Sequence, residues 1–114
     1  MHEMSVAQNI LEIVREHIPS GDEEKVRSIR LKIGVLAGIV PDSLLFCFDA
    51  LKDGSPLHNA TLDVEYISIT SQCKQCGKTS ALDYGVFFCP ACSSADVVLL
   101  TGNELNLVEI ELED

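Results

Sequence analysis

The chain has 114 residues and a formal net charge of −10, with 18 acidic against 8 basic side chains. That length gives room for one modest core and a small satellite, and so acidic a surface repels phosphate backbones, which argues against nucleic-acid binding. Aromatics are 5% of residues and Trp is absent, so the core must be aliphatic, and no stretch reaches the ~20 apolar residues of a membrane span.

Residues 5 to 18 are predicted as an amphipathic helix. Ala7, Ile10, Leu11, Val14 and Ile18 recur at helical spacing, with Val6 and Ile13 widening the stripe. Ser5 with Gln8 three residues later has the form of a capping box, although an earlier start would bring the first five residues into the helix. Pro19-Ser20-Gly21 ends it, and Asp22-Glu23-Glu24 reads as a solvated connection. From Val26 to Val35 the period becomes two: Ile29, Leu31, Ile33 and Val35 share one face, Ser28, Arg30 and Lys32 the other. A second helix is expected from Pro41, a good first-turn residue, to Lys52, with Leu44, Phe48 and Leu51 on its buried face and Gly54 as its stop. Thr61 to Ile69 is the second strand, in which Leu62, Val64 and Tyr66 alternate with Asp63 and Glu65. Leu105 to Glu113 is the last, with Val108, Ile110 and Leu112 inward and Glu109, Glu111 and Glu113 outward.

The first strand, crossover helix and second strand can form a right-handed parallel unit, which the final strand completes. The expected fold is therefore α+β: a small three-stranded mixed sheet with two helices on one face, carrying an inserted four-cysteine zinc-ribbon domain. In residue numbers, 1–69 and 102–114 form the α/β domain and 70–101 the ribbon.

Within the ribbon the cysteines read Cys73-Lys74-Gln75-Cys76, twelve intervening residues, then Cys89-Pro90-Ala91-Cys92. Two such pairs suit a tetrahedral four-thiolate site, since each tight turn aims two sulfurs at one centre. Gly77 follows the first pair, where the chain often needs positive φ, and the less permissive Ser93 follows the second. Zinc is the default metal because it accepts four thiolates without redox chemistry. Iron is the alternative, since Cys-Pro-x-Cys also resembles a rubredoxin knuckle. With all four positions filled by protein, the site is closed and structural. Leu82, Tyr84, Val86, Phe87 and Phe88 are expected to supply a small hairpin and a few apolar contacts. The fifth cysteine, Cys47, sits among Leu44, Leu45, Phe46 and Phe48 and reads as a small buried hydrophobe. Cysteines in metal spacing fit a reducing cytoplasm, and the N-terminus does not read as a secretory signal.

Function then has to be sought outside the closed site. Of the three histidines, His17 lies near a helix end and His58 in a polar loop with no second ligand in view. Met1-His2-Glu3 differs, because a free α-amine, backbone amides and an imidazole fall within three residues. Ni²⁺ and Cu²⁺ favour square-planar nitrogen ligation, and the leading N–H groups of a helix have no intrahelical acceptor. The bland reading is a solvated terminus with a chance histidine.

The Met1-His2-Glu3 start, the helix carrying Ser5, the paired Cys-x-x-Cys and Cys-Pro-x-Cys knuckles and the Gly102-Asn103-Glu104-Leu105 lead-in resemble the HypA/HybF family of hydrogenase nickel-insertion accessory proteins, over the whole chain and in order. The resemblance implies a cytoplasmic nickel metallochaperone, not an enzyme, that inserts Ni(II) into the large subunit of [NiFe] hydrogenase. It implies His2 as main nickel ligand, with Met1 and Glu3 contributing backbone nitrogens, and Cys73, Cys76, Cys89 and Cys92 as ligands of structural Zn(II). Implied partners are a nickel-handling GTPase and the hydrogenase large-subunit precursor, with a homodimer allowed and no nucleic acid or membrane. Some relatives carry histidines beside the knuckles; here Gln72, Gly77, Lys78, Pro90 and Ser93 stand there. The alternatives from other classes are a zinc-ribbon protein-interaction or nucleic-acid-binding module and a rubredoxin-like electron carrier.

Overall fold

A computed structural model of the chain describes residues 2–114. Helix α1 spans Glu3–His17, with His2 in extended conformation as its N-cap. It starts earlier than the Ser5 cap predicts. The Val6 N–H donates to the His2 carbonyl at 3.1 Å, so Val6 joins the buried stripe with Ala7, Ile10, Leu11 and Val14. Ser5 and Gln8 therefore lie inside the helix and form no capping box. The helix stops where the residue before Pro19, Ile18, adopts the extended backbone that a following proline favours.

Strand β1 is Val26–Gly34, and a 3₁₀ turn over Val35–Ala37 replaces its expected last residue. Helix α2 covers Pro41–Lys52 with proline in its first turn. Strand β2 is Thr61–Ile67. Three shorter strands follow, β3 (Ile69–Cys73), β4 (Thr79–Leu82) and β5 (Val97–Thr101), and β6 is Leu105–Leu112.

The strands make two three-stranded sheets, ordered β2-β1-β6 and β4-β3-β5. In the first, β1 runs parallel to β2 and antiparallel to β6, the mixed sheet the sequence predicts. Both helices cover one face, where Val6, Ile10, Val14, Leu44 and Phe48 join Ile29, Leu31 and Ile33 in a single core. β6 departs from simple alternation. Leu31 pairs with Leu107 but Arg30 pairs with Glu109, so Val108 is the extra residue of a bulge. Leu107, not Val108, therefore turns inward with Ile110 and Leu112, and Val108 is 48% exposed.

The second sheet is entirely antiparallel, but the hairpin does not lie where the sequence suggests: β3 and β4 form it around the first cysteine turn, β5 pairs with the other side of β3, and of the residues expected to supply it only Leu82 lies in a strand. Of its predicted apolar residues only Leu82 is buried; Tyr84, Val86 and Phe88 are exposed, and the half-exposed Phe87 lines a hollow with Leu82, Val97 and Leu99. The two sheets meet where the 101–104 return crosses the end of β1. There Gly34 N–H donates to the Glu104 carbonyl at 2.8 Å and Leu36 N–H to the Gly102 carbonyl at 2.6 Å. A Cβ on Gly34 would lie 2.1 Å from the Gly102 carbonyl carbon. Only a residue without a side chain permits that crossing.

Candidate metal centre

Each cysteine pair sits in a turn built by its own backbone. In the first, Cys73 N–H donates to the Lys78 carbonyl at 3.0 Å and Gly77 N–H returns to the Cys73 carbonyl at 2.9 Å. The second repeats the pattern: Cys89 N–H to the Ser94 carbonyl and Ser93 N–H to the Cys89 carbonyl, both at 2.8 Å. Gly77 (φ 77°) and Ser93 (φ 64°) hold the same left-handed position. Lys74 N–H donates to the Asp96 carbonyl at 2.9 Å, tying the first turn to the segment after the second.

These turns bring all four sulfurs within 4.8 Å of one another. Cys73 Sγ lies 3.5 Å from Cys92 Sγ, and Cys76 Sγ 3.7 Å from Cys89 Sγ. A tetrahedral ion with metal–sulfur bonds of ~2.3 Å requires sulfur–sulfur edges of about 3.8 Å, so the four residues fit one. Cys73 and Cys89 are buried while Cys76 and Cys92 face outward.

The electrostatics point the same way. The Cys76 N–H aimed at Cys73 lowers that thiol to about 7 against the opposition of burial, with help from Gln75 and the neighbouring thiols. Cys89 is likewise lowered, chiefly by the Cys92 N–H. Cys92 moves the other way, to about 12: the Ser94 N–H favours its thiolate, but the contact with Cys73, burial, and contacts with Cys89 and Cys76 outweigh it. Four sulfurs this close cannot all carry charge without a cation among them. The backbone stabilises some of the negative charge, and a bound metal would supply the rest.

Elsewhere the predicted residues are scattered. His17 Nδ1 donates to the Ile13 carbonyl at 2.8 Å and His58 Nδ1 to the Ser55 carbonyl at 2.9 Å, both local contacts. Among the described residues only the four cysteines gather three or more metal-ligating side chains. Met1 lies outside those residues. His2 is exposed at the start of α1, and the first helical hydrogen bond comes from Val6. The N–H groups of Glu3, Met4 and Ser5 thus precede the helical ladder. The Glu3 carboxylate reaches across to accept from Val40 N–H at 3.3 Å, at the N-cap of α2. The two residues are 37 positions apart, and no local spacing signals that contact.

A mixed α+β sheet joined to a ribbon with four convergent thiols defines a small two-sheet metal-binding protein. The family model described as "Hydrogenase/urease nickel incorporation, metallochaperone, hypA" matches residues 1–112, and the chain belongs to this HypA family. It is 39% identical to hydrogenase maturation factor HypA of Desulfosudis oleivorans, with all of both chains covered. It is 38% identical to that of Rhizobium leguminosarum bv. viciae, covering 98% of this chain and 99% of the relative. The solution structure of a HypA protein shares the fold with a TM-score of 0.68 at 26% identity, covering 99% and 97% of the two chains. The solution structure of the nickel metallochaperone HypA from Helicobacter pylori matches in fold, with a TM-score of 0.65 at 24% identity and 98% and 97% covered. The function that follows is that of a nickel-incorporation metallochaperone of hydrogenase maturation.

Proposed function

We propose that nickel is received at the amino terminus, with His2 as principal ligand through its imidazole and with backbone nitrogens of Met1, His2 and Glu3 completing a planar set. The observation that carries this reading is the position of His2 as the N-cap of α1. An exposed imidazole there stands beside N–H groups that no helical carbonyl claims. A square-planar nitrogen field favours Ni²⁺ and Cu²⁺ over Zn²⁺, which gains nothing from planarity; copper binds more tightly, so its exclusion rests on cellular availability. The Glu3 carboxylate, held on Val40 N–H, anchors the terminus from the side.

Zinc is the proposed resident ion at Cys73, Cys76, Cys89 and Cys92. Its role there is structural, because four protein thiolates leave no open position for a reacting ligand. In this reading 1–69 and 102–114 act as the nickel unit and 70–101 as the zinc unit. The protein binds and transfers an ion and performs no catalysis, working in a reducing cytoplasm. It hands nickel to the hydrogenase large-subunit precursor together with a nickel-handling GTPase.

Blocking the α-amine tests the ligand set. Nickel affinity of the native chain is compared with that of the same chain acetylated at Met1. The expected result is a loss of about tenfold or more on acetylation; equal affinities would exclude the amine as a ligand.

A further inference from the structure

The open face of the first sheet is ordered by charge, strand by strand. β2 presents Asp63 and Glu65, β1 presents Arg30 and Lys32, and β6 presents Glu109 and Glu111. Arg30 reaches Asp63 at 3.5 Å on one side and Glu109 at 3.8 Å on the other, while Lys32 reaches Glu65 at 3.9 Å. Arg30 is thus shared between both neighbours, while Lys32 pairs with β2 alone and stands opposite Asn106 of β6. Glu111 stands opposite Ser28 and has no cation within ion-pair reach among the described residues.

β6 is also the outermost strand on its side. Alternate residues of such an edge turn unpaired N–H and C=O groups outward. Behind that edge, α1 and β6 leave an apolar groove. Val6, Ile10, Ile13, Leu105 and Leu107 line a cavity of about 150 Å³. It continues past Ile13 and Leu107 into a second hollow of about 290 Å³ beside Val108 and Ile110. Ile13, Leu105 and Val108 are 38%, 37% and 48% exposed along this line.

We propose that the β6 edge receives an extended segment of a partner protein as a fourth strand. Its apolar side chains turn into the α1 groove, and its alternate Lys or Arg side chains lie opposite Glu109 and Glu111. The order acidic, basic, acidic across β2, β1 and β6 then continues with a basic strand. Main-chain hydrogen bonds supply affinity in such strand addition, and the groove and charges supply selectivity. A second copy of this chain is the wrong occupant, because two β6 edges would set Glu109 and Glu111 against their own kind, and like charges opposed across strands destabilise. The inference is independent of where nickel binds.

The test uses the full, zinc-loaded chain and two synthetic peptides of about twelve residues, one alternating Val with Lys and the other Val with Glu. Backbone NMR shifts and amide exchange are followed during each titration. The Val/Lys peptide is expected to bind saturably, to slow exchange in β6, to shift Ile13, Leu107 and Val108, and to weaken as salt is raised. The Val/Glu peptide is expected not to bind. Reversing the charge with Glu109→Lys and Glu111→Lys should switch the preference. Ile13→Asp should weaken the Val/Lys peptide roughly tenfold while exchange in β1 stays as slow as before, which shows the fold intact. The proposal is overturned if the Val/Lys peptide shifts Asp22–Glu24 or β2 in place of β6, or if both peptides bind alike. It is equally overturned if the charge-reversed chain keeps the original preference. Concentration-dependent protection of β6 in the free chain would assign the edge to a second copy and also overturn it.

Discussion

Replacing Gly34 by Ala tests the junction between the two sheets. The new methyl would sit 2.1 Å from the carbonyl carbon and oxygen of Gly102 and 2.5 Å from the Asn103 nitrogen, all of them backbone atoms. No side chain can rotate away to relieve this, so the 101–104 return must move off β1. That movement stretches or breaks the two hydrogen bonds that Gly34 and Leu36 donate to Glu104 and Gly102. Overpacking costs typically ~1–3 kcal/mol, and each backbone hydrogen bond contributes about 1 kcal/mol net. The sum is a loss of about 3–5 kcal/mol. Gly38→Ala is the control: its φ is 74° but nothing lies within 4 Å of the added carbon, so only left-handed strain of about 1–2 kcal/mol applies. Urea unfolding of zinc-saturated protein, followed by far-UV circular dichroism, measures both. With a slope of ~1–3 kcal/mol per molar, Gly34→Ala should lower the midpoint by about 1 M or more, and well beyond Gly38→Ala. A loss under about 1 kcal/mol, or one equal to the control, would refute the argument from backbone contact.

At the second knuckle, Ser93 carries a side chain in the left-handed region, so Ser93→Gly should stabilise the zinc-loaded chain by roughly 0.5–1 kcal/mol in thermal unfolding, and Ser93→Val should destabilise it. Cys89→Ser removes a buried sulfur, and is expected to abolish stoichiometric zinc by metal analysis and to collapse exchange protection in β3–β5 while leaving β1 protected. Zinc binding should release protons, because Cys92 holds its proton up to about 12 and Cys73 up to about 7 without a metal. Affinity therefore falls as pH falls, and calorimetry in buffers of differing ionisation enthalpy counts the protons. Glu3→Ala should change nickel affinity only about two- to threefold, since its carboxylate accepts from Val40 and the proposed nickel site uses only its backbone nitrogen; a hundredfold loss would place the carboxylate on the metal.

The parts of the fold that could be read in advance are those written in local spacing. Apolar residues at helical intervals locate α1 and α2, alternation locates β1 and β2, and the two Cys-x-x-Cys pairs announce four convergent sulfurs. What escaped depends on chain segments far apart in sequence. The start of α1, which local spacing leaves open between Ser5 and the residues before it, falls at Glu3, with Val6 buried in the core. The bulge at Val108 arises from how β6 registers on β1, and alternation within β6 alone assigns Val108 to the wrong side. The exposure of Phe87 and Phe88 could not be read from their hydrophobicity, because the ribbon is too thin to enclose them. The Glu3–Val40 contact joins two helix starts and leaves no trace in either local sequence.

The measurement closest to the central claim is calorimetric titration of nickel into the untagged, zinc-loaded chain beside His2→Ala, with zinc assayed before and after. One nickel per chain is expected in the native protein, none at comparable affinity in His2→Ala, and unchanged zinc in both. Nickel binding that survives His2→Ala, or that expels zinc from the four cysteines, would contradict that claim.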